Sequence, residues 1–367
     1  MYKHPLTILI VLHGLLAAVF LAGARASLGR TEITPRVTLA TASIQDQDDM
    51  CVWIHPSDPS LSTIVASDKS ANKLFVYDLD GNAIQTLDVP GQPGNVDIRY
   101  GFPLSGNLED IVAYNDRDQS RIVVLRVDAT TRQLSRIDDG TLATGRNYGF
   151  CLYRSPITGR FHAFTAAKSG AIEQWELSEA AGAVTGTRVR SWSLSSQTEG
   201  CVCDDETSQA YFGEENEGIW KIAAEPGDPT IGTLIASVGG PGGLTADVEG
   251  LSIYYAADGE GYLLASSQGS DDFRVFQRRP PHALVKSFRV IGANSTDGID
   301  VTNVALGGTF SSGIFTLHNG SSSPYPVEVC AWEDLDLIVD TDYWDPRGPG
   351  SVAVDAVSWG RTKAGYR

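Results

Sequence analysis

Acidic side chains recur in short segments where predicted strands give way to loops. Clustered carboxylates repel one another and favour bound cations, for which calcium, with roughly six to eight oxygen ligands, is the natural candidate. A single acid is typical of a solvated turn, and a pair would also suit glycosidase acid/base chemistry. Recurrence across several segments favours a shared cation site. The acids are Asp46, Asp48, Asp49, Glu199, Glu214, Glu215, Glu217, Asp247, Glu249, Asp297 and Asp300.

Three basic residues, Lys69, Arg117 and Lys168, occupy similar loop positions between predicted strands. Each alone is usually a surface charge, but in so acidic a chain the three together indicate a phosphate or carboxylate ligand. The sequence has no G-x-S-x-G elbow, Walker A loop or H-E-x-x-H helix, and its serines have no obvious base. The chemistry that remains is metal-assisted attack by water.

Residues 1–26 are typical of an export signal. Lys3 supplies a positive start, an apolar run extends from Leu6 to Leu21, and Ala24 to Ala26 offers a cleavage site. We expect the mature chain to start near Ser27 and to be secreted, in the extracellular space or the periplasm, with no membrane contact after signal removal. A membrane anchor is the alternative, but the apolar run is short for a span of roughly 20 residues.

The chain is strongly acidic, with 28 basic and 45 acidic residues and a formal net charge of -17. Loss of residues 1–26 would remove Lys3 and Arg25 and no acid, so 26 minus 45 leaves -19. Nucleic-acid backbones bind basic surfaces, so this charge argues against a nucleic-acid partner. An acidic excess can serve solubility alone, and the specific alternative is that the carboxylates hold hard cations.

Composition and turn signals predict an all-β fold. The chain has 38 glycines, frequent Asp-Gly, Asn-Gly and Gly-Gly turns, and short β-branched or aromatic runs. No linker or low-complexity block divides it, so we expect residues 27–367 to form a single domain. The predicted strands are Met50 to Ile54, Thr63 to Ser67, Leu74 to Asp78, Ile111 to Asn115, Ile122 to Val127, Phe150 to Tyr153, Phe161 to Ala166, Ile172 to Leu177, Ala210 to Gly213, Gly218 to Ala223, Ser252 to Ala256, Tyr262 to Ser267, Phe273 to Gln277 and Gly313 to His318.

A recurring segment favours a β-propeller over a sandwich or a solenoid, the other folds that short, regularly spaced strands allow. Each copy follows an acidic or glycine turn and resembles the second or third strand of a propeller blade. A spacing of about 45 to 55 residues predicts about six blades of four strands. The copies are Leu74 to Tyr77, Ile122 to Leu125, Ile172 to Trp175, Gly218 to Lys221 and Phe273 to Phe276.

The mature chain would keep five cysteines, an odd number whose pairing the sequence does not determine. One or two disulfides are compatible with an export signal. Cys201 and Cys203 alternate along a predicted strand and share one face, which favours a packing role over a zinc site. The other three are Cys51, Cys151 and Cys330.

From about Asp46 to Trp332 the chain resembles a known family, the β-propeller phytases, which are alkaline, calcium-dependent 3-phytases. The two signature segments are Asp48 to Trp53 and Gly94 to Tyr100. Further similar segments are Tyr148 to Phe150, Ser196 to Gly200, Glu214 to Glu215, Ile219 to Lys221, Asp247 to Tyr255, Ser266 to Gly269 and Thr296 to Val301. Taken in this order, the set is highly specific for the family.

The resemblance implies a six-bladed propeller that binds several calcium ions, some structural and others in an electronegative cleft. The residues that would help to hold structural calcium are Asp49, Asn95 and Val96. Those that would surround the cleft calcium ions are Glu199, Glu214, Glu215, Asp247, Glu249, Gln268 and Asp297. Those that would contact the phosphate being cleaved are Lys69, Arg117, Tyr148 and Lys168, and Glu199 and Glu214 would join them as catalytic residues.

The implied reaction is hydrolysis of myo-inositol hexakisphosphate, bound as its calcium complex, by a calcium-activated water that attacks phosphorus in line. The expected oligomeric state is a monomer, because a propeller closes on itself. Three departures from the family pattern bear on the calcium sites. Met50 replaces a proline, Gly94 replaces the first of two asparagines, and the loop between Ile291 and Thr296 is shorter and lacks an aspartate.

Two other functions fit parts of the sequence. One is a non-catalytic propeller that binds calcium and an anionic ligand, against which the joint presence of Lys69, Arg117, Tyr148 and Lys168 argues. The other is a calcium-propeller lactonase or esterase, which would be expected to place a histidine or asparagine near its catalytic metal. The histidines of this sequence lie outside the acidic segments.

Overall fold

The computed structural model describes residues 31–321 and 323–341. The predicted signal at 1–26 lies outside the described residues, within which no helix is long and apolar enough to cross a membrane. The strands are β1 Thr31–Ile33, β2 Val37–Leu39, β3 Gln47–Trp53, β4 Thr63–Asp68, β5 Lys73–Tyr77, β6 Ala83–Asp88, β7 Pro93–Leu104, β8 Asn107–Asp116, β9 Arg121–Asp128, β10 Gln133–Arg136, β11 Gly149–Arg154, β12 Phe161–Ala166, β13 Ala171–Ala180, β14 Ala183–Ser193, β15 Thr198–Asp204, β16 Gln209–Glu214, β17 Gly218–Ala223, β18 Thr233–Ser237, β19 Val248–Tyr255, β20 Gly261–Ser267, β21 Asp272–Gln277, β22 Leu284–Val290, β23 Ile299–Thr302, β24 Ile314–His318 and β25 Val327–Ala331. Four short 3-10 helices are Pro59–Leu61, Ala257–Gly259, Gln268–Ser270 and Trp332–Leu335.

The strands form six sheets arranged in a ring, antiparallel except for the β1–β22 pair, so the predicted all-β, six-bladed propeller is confirmed. Blades 1 to 5 each take four consecutive strands, starting with β3, β7, β11, β15 and β19. Blade 6 consists of β23, β24, β25 and β2. The first strand of each blade is innermost and contacts the first strand of the next blade, including β23 with β3, so the ring is closed.

The recurring segment identified in the sequence is the third strand of blades 1 to 5, namely β5, β9, β13, β17 and β21. These strands are recognisable because their apolar residues are buried in the cores between blades. The outermost strands of the same blades, β6, β10, β14, β18 and β22, were missed by the prediction. Most of their residues are only partly buried or exposed, so they lack a continuous apolar run.

The amino-terminal strands close the ring. β2 pairs antiparallel with β25 and completes blade 6, and β1 pairs parallel with β22 as a fifth strand of blade 5. Leu39, in β2, is fully buried and packs in the same apolar core as Trp53 and Val329. The first described strands of the chain are therefore joined to its last blades by both backbone hydrogen bonds and core packing.

One disulfide joins the innermost strands of blades 3 and 4, between Cys151 and Cys201. The expectation that Cys201 and Cys203 share a strand face holds, since the Sγ of Cys203 also lies 3.7 Å from that of Cys151. The expected packing role applies to Cys203 but is wrong for Cys201. Cys51 and Cys330 are free and buried, as is Cys203.

Four innermost strands begin with a β-bulge-like irregularity, at which two residues do not pair with the second strand of the blade. The skipped pairs are Asp48 and Asp49, Gly94 and Asn95, Glu199 and Gly200, and Glu249 and Gly250. A bulge re-aims side chains and is frequent beside active sites. Four of the recurrent acids, Asp48, Asp49, Glu199 and Glu249, therefore lie where an innermost strand departs from regular pairing.

The glycine after each acid allows the blades to approach closely. A Cβ on Gly200 would lie 2.0 Å from the carbonyl oxygen of Glu249, and one on Gly250 would lie 2.7 Å from that of Asp297. The Gly250 N–H donates to the same Asp297 carbonyl at 2.9 Å. Each acid-glycine pair thus holds its own blade against the next acid around the ring.

We predict that Gly200→Ala destabilises the protein by about 1–3 kcal/mol or more, because the new methyl group would collide with backbone that cannot move freely. The measurement is chemical denaturation at fixed calcium concentration. Gly227→Ala is the matched control, since no atom lies within 4 Å of a Cβ at Gly227. Equal stability of the two variants would contradict the proposed packing constraint.

Candidate active site

The predicted site residues gather at one end of the propeller channel, called here the upper end, where the innermost strands begin. Register places the start of each innermost strand beside the end of the second strand, as in Gln47 opposite Asp68 and Pro93 opposite Asp116. Residues just after the second strands, such as Lys69 and Arg117, therefore lie beside the acids of the bulges. Segments far apart in the sequence form one cluster of charge.

The centre of this cluster is a group of three buried carboxylates, Glu199, Glu215 and Glu249. One oxygen from each lies within 4.8 Å of the others. Calcium binds oxygens at about 2.3–2.6 Å, so two oxygens on one ion are at most roughly 5 Å apart. Asp247 and Asp297 lie near enough for their charges to raise the pKa of Glu215, an effect second to that of its burial. The spacing and the donor type both suit calcium.

These carboxylates hold an unbalanced charge. Burial raises the pKa of Glu199 to about 7, although Arg117 opposes the effect. Burial, together with the charges of Glu199 and Glu215, raises the pKa of Glu249 well above its usual value. The Oε2 atom of Glu249 is buried and accepts no hydrogen bond among the described residues. A cation would relieve both the repulsion and the unsatisfied oxygen.

Two cations balance part of the charge. The Arg117 guanidinium lies 2.6 Å from Glu199 Oε1 and 2.9 Å from Asp48 Oδ2. The Lys69 ammonium lies 2.7 Å from Asp48 Oδ1 and 2.9 Å from Asp297 Oδ2. Burial raises the pKa of Asp48, but Arg117 and Lys69 outweigh it and hold the pKa at about 2. Asp48 is thus a carboxylate shared by both cations, a role that the sequence did not indicate.

Tyr148 carries two cations on its aromatic ring. The guanidinium carbon of Arg117 lies 4.4 Å from the ring centroid, and the ammonium of Lys168 lies 4.1 Å from it. Burial raises the pKa of the Tyr148 hydroxyl, which therefore remains a proton donor at neutral pH. Lys168 is exposed at the rim of the cluster. The three side chains together form a surface suited to a phosphate group.

The unexpected glycine at position 94 leaves space for Arg117. A Cβ on Gly94 would lie 2.5 Å from Arg117 Nε and 2.7 Å from Asn115 Oδ1. Arg117 also donates from Nε to the Tyr148 carbonyl at 3.2 Å. In this chain the absence of a side chain at position 94 is therefore linked to the path of Arg117 across the site.

Glu214 stands apart from the other predicted cleft acids. Its Oε1 accepts hydrogen bonds from the Ser195 and Ser196 hydroxyls, and its Oε2 accepts one from the Trp220 indole at 2.7 Å. Burial raises the pKa of Glu214, but these hydrogen bonds outweigh it and lower the pKa. Glu214 is a satisfied carboxylate beside the group of three, and its neighbour Glu215 is the one that joins it.

The predicted structural-calcium residues lie in the channel below the cluster. The Val96 N–H donates to Asp49 Oδ2 at 3.0 Å, and burial raises the pKa of Asp49 well above its usual value. Asn95 Oδ1 is buried and has no hydrogen-bond donor among the described residues. A cavity of about 40 Å³ adjoins Asp49, Asn95 and Val96. An unsatisfied amide oxygen and a buried carboxylate on residues that line one cavity are compatible with a bound cation.

Gln268 and His318 complete the upper end in blades 5 and 6. Gln268 Nε2 donates to Asp297 Oδ1 at 2.6 Å. His318, which the sequence analysis did not predict as a site residue, lies against Asp297, with Nδ1 3.4 Å from Asp297 Oδ2. The histidine lies outside the acidic segments in sequence, but the pairing of β23 with β24 brings it to them.

Comparison with known proteins identifies the family. A family model described as Phytase matches residues 6–335. The chain belongs to the phytase family. A 3-phytase of Bacillus subtilis (strain 168) is 38% identical over 307 residues, which cover 78% of this chain and 80% of that protein. The resemblance inferred from the signature segments is confirmed, and this phytase is a phosphoric monoester hydrolase that acts on phytate.

Solved structures with low sequence identity share the fold of this phytase. A calcium-binding protein, regucalcin, from Agrobacterium tumefaciens str. C58 is 13% identical, with a TM-score of 0.52, over 82% of this chain and 94% of that one. A luciferin-regenerating enzyme is 12% identical, with a TM-score of 0.51, over 78% of this chain and 91% of that one. At such identity these similarities concern the fold alone.

We predict that the calcium-free phytase loses stability as pH rises from about 5 to about 7. The folded chain retains protons on Glu199 and Glu249 that an unfolded chain has lost above a carboxyl pKa of about 4.3, so the folded state binds more protons in this window. Each such proton contributes up to about 1.4 kcal/mol per pH unit. Calorimetry of the calcium-free protein measures the slope.

Glu249→Gln should make this slope shallower, because the amide does not titrate. Glu217→Gln, in which the replaced side chain is exposed, is the matched control and should leave the slope unchanged. A slope in Glu249→Gln equal to that of the unmodified protein would contradict the assignment of a buried proton to Glu249.

Proposed function

We propose that this phytase is a secreted, calcium-dependent 3-phytase that hydrolyses myo-inositol hexakisphosphate, taken up as its calcium complex, to inorganic phosphate and lower inositol phosphates. One observation carries the proposal. Arg117 contacts Glu199, a member of the three-carboxylate group, and also lies on the ring of Tyr148 beside Lys168. The groups suited to cations and those suited to phosphate therefore share one site.

The carboxylates have the first role, which is to hold calcium ions. The residues that would hold calcium in the cleft are Glu199, Glu215, Asp247, Glu249, Gln268 and Asp297, and Glu214 would join them if calcium replaced its hydrogen bonds to Ser195, Ser196 and Trp220. Asp49, Asn95 and Val96 would hold structural calcium in the channel. Bound calcium would neutralise the phosphoryl oxygens and lower the pKa of the attacking water. The positions of the acids would determine where the calcium ions lie, and those positions are set by the bulges and the hydrogen bonds.

The basic residues have the second role, which is to bind and orient the phosphate. Lys69, Arg117 and Lys168 would donate charge-assisted hydrogen bonds to phosphoryl oxygens, and Tyr148 would donate a neutral one. Lys69 and Arg117 are paired with Asp48, Glu199 and Asp297. Neutralisation of these acids by calcium would leave the two cations free to bind phosphate.

Secretion and a monomeric single domain over residues 27–367 belong to the same proposal. Residues 1–26 have the pattern of an export signal. The disulfide between Cys151 and Cys201 supports an oxidising compartment. The closed ring supports a monomer, because the innermost strands of all six blades are covered by their neighbours. Edman sequencing of the exported protein and its sedimentation velocity would test these points.

We predict that removal of calcium abolishes phosphate release and also lowers the melting temperature. A ligand at about a hundred times its Kd stabilises the native state by about 2.7 kcal/mol for each site. Purified mature protein is assayed with phytate in calcium, in excess EGTA, and after calcium is restored, and melting is measured in each condition. Phosphate release that persists in EGTA would contradict calcium dependence, and release under neither condition from folded, calcium-loaded protein would favour a non-catalytic anion-binding propeller.

We predict that Lys168→Ala lowers kcat by roughly ten- to hundredfold with little change in stability, because an exposed donor to the phosphate is lost. Arg279→Ala is the matched control, since its ion pair with Glu260 is exposed at the other end of blade 5. An unchanged kcat would remove Lys168 from the site. Arg117→Ala is less suitable, because loss of this buried cation would also leave Glu199 without its ion-pair partner, remove one of the two cations that contact Asp48, and destabilise the fold.

A further inference from the structure

In the blade repeat, His318 of blade 6 lies one position before the place that site residues take in other blades. It is the last residue of β24, the second strand of its blade. Lys69, Arg117 and Gln268 directly follow the second strands of blades 1, 2 and 5. The His318 side chain is only 4% exposed. The blade repeat therefore brings a buried imidazole to the ring of site residues.

The contacts of His318 are to Asp297 and the residue after it. The Asp297 N–H donates to Nδ1 of His318 at 3.2 Å, and the His318 N–H donates to the Gly298 carbonyl at 3.0 Å. Because Nδ1 accepts a hydrogen bond, the neutral ring carries its proton on Nε2. That atom faces Asp46 Oδ1 at 3.9 Å. The imidazole thus holds the backbone from which the Asp297 carboxylate projects.

Asp297 links the two functional halves of the site. Its Oδ1 accepts from Gln268 at 2.6 Å, and its Oδ2 lies 2.9 Å from the Lys69 ammonium. Its carbonyl accepts from Gly250 at 2.9 Å. A shift of the Asp297 backbone would therefore displace an oxygen proposed to bind calcium and a lysine proposed to bind phosphate at the same time.

We propose that His318 is a positioning residue, which acts through Asp297 to fix the calcium-binding carboxylate and to align Lys69 with the phosphate. The inference rests on the proposed function for the identity of the ligands, and on the structure for the contacts. Its consequence is that an acceptor at the position of Nδ1 is required, whereas the imidazole as such is not.

The test compares His318→Asn with His318→Phe. Asparagine offers an oxygen near the place of Nδ1, and phenylalanine keeps a ring but has no acceptor. Calcium affinity is measured by isothermal titration, so that one readout does not depend on turnover. We expect His318→Phe to weaken calcium binding about fivefold and to lower kcat about tenfold with less than about threefold change in KM, and His318→Asn to stay within about twofold of the unmodified protein in each quantity.

A double-mutant cycle distinguishes positioning from general support of the fold. In an Asp297→Asn background, His318→Phe should weaken calcium binding by less than about twofold further, because a residue that acts through Asp297 has little left to position. His162→Phe is the matched control, since His162 is a fully buried histidine in blade 3 and its ring nitrogens have no partner among the described residues. This control should leave calcium affinity unchanged.

Two results would overturn the inference. The first is calcium affinity and kcat unchanged in His318→Phe, and the second is His318→Asn as impaired as His318→Phe. If the phenylalanine variant does not fold, His318→Leu serves as the acceptor-free variant in the same comparison. Failure of the proposed function is separate, because it would appear as absence of phosphate release in the unmodified protein, whereas calcium titration of the variants would still test His318.

Discussion

The repulsion among carboxylates buried at the upper end of the channel is the constraint on which the rest of the site depends. Two like charges about 4 Å apart repel by about 4 kcal/mol at an effective dielectric constant near 20, so Glu199, Glu215 and Glu249 cannot all ionise without compensation. Compensation comes from Arg117 on one side, from retained protons, or from bound cations. The same packing that makes the site therefore favours bound cations, which would allow the site to accept an anionic substrate.

The fold concentrates these acids through its backbone. At Gly149, Gly200, Gly250 and Gly298 a Cβ would lie within 3.0 Å of backbone or of the acid that begins the next blade around the ring. Glu199, Glu249 and Asp297 each precede one of these glycines, at or just before the start of an innermost strand. Tyr148 takes the same place before Gly149 in blade 3. The acid-glycine pattern of the sequence is thus one structural rule with two parts, in which glycine permits contact between blades and the residue before it supplies the chemistry.

Burial determines which strands the sequence could predict. Third strands such as Ile122 to Leu125 are buried on both faces and give a continuous apolar run, whereas an outer strand such as Gln133–Arg136 has one buried residue and no such signal. The acids predicted a cation site because acidic segments recur along the chain, and this can be recognised although the spacing between the segments is irregular. The division between Glu214 and Glu215 was not predictable, since it depends on Ser195, Ser196 and Trp220, which reach Glu214 only in the folded sheet. His318 was missed because strand pairing, and not sequence proximity, brings it to Asp297.

The six blades share one architecture but divide the chemistry between two halves of the ring. At or just after the end of the second strand, blades 1 to 3 present the cations Lys69, Arg117 and Lys168, and blades 4 to 6 present Glu215, Gln268 and His318. The innermost strands of blades 4 and 5 add Glu199 and Glu249, whose oxygens lie with that of Glu215. The half that carries the three cations thus faces the half that carries the three-carboxylate group, and Arg117 and Lys69 contact carboxylates across the boundary. A phosphate placed at this boundary would meet fixed positive charge from one half and metal charge from the other. An asymmetric ring of this kind can perform hydrolysis at a single position, although the fold repeats six times.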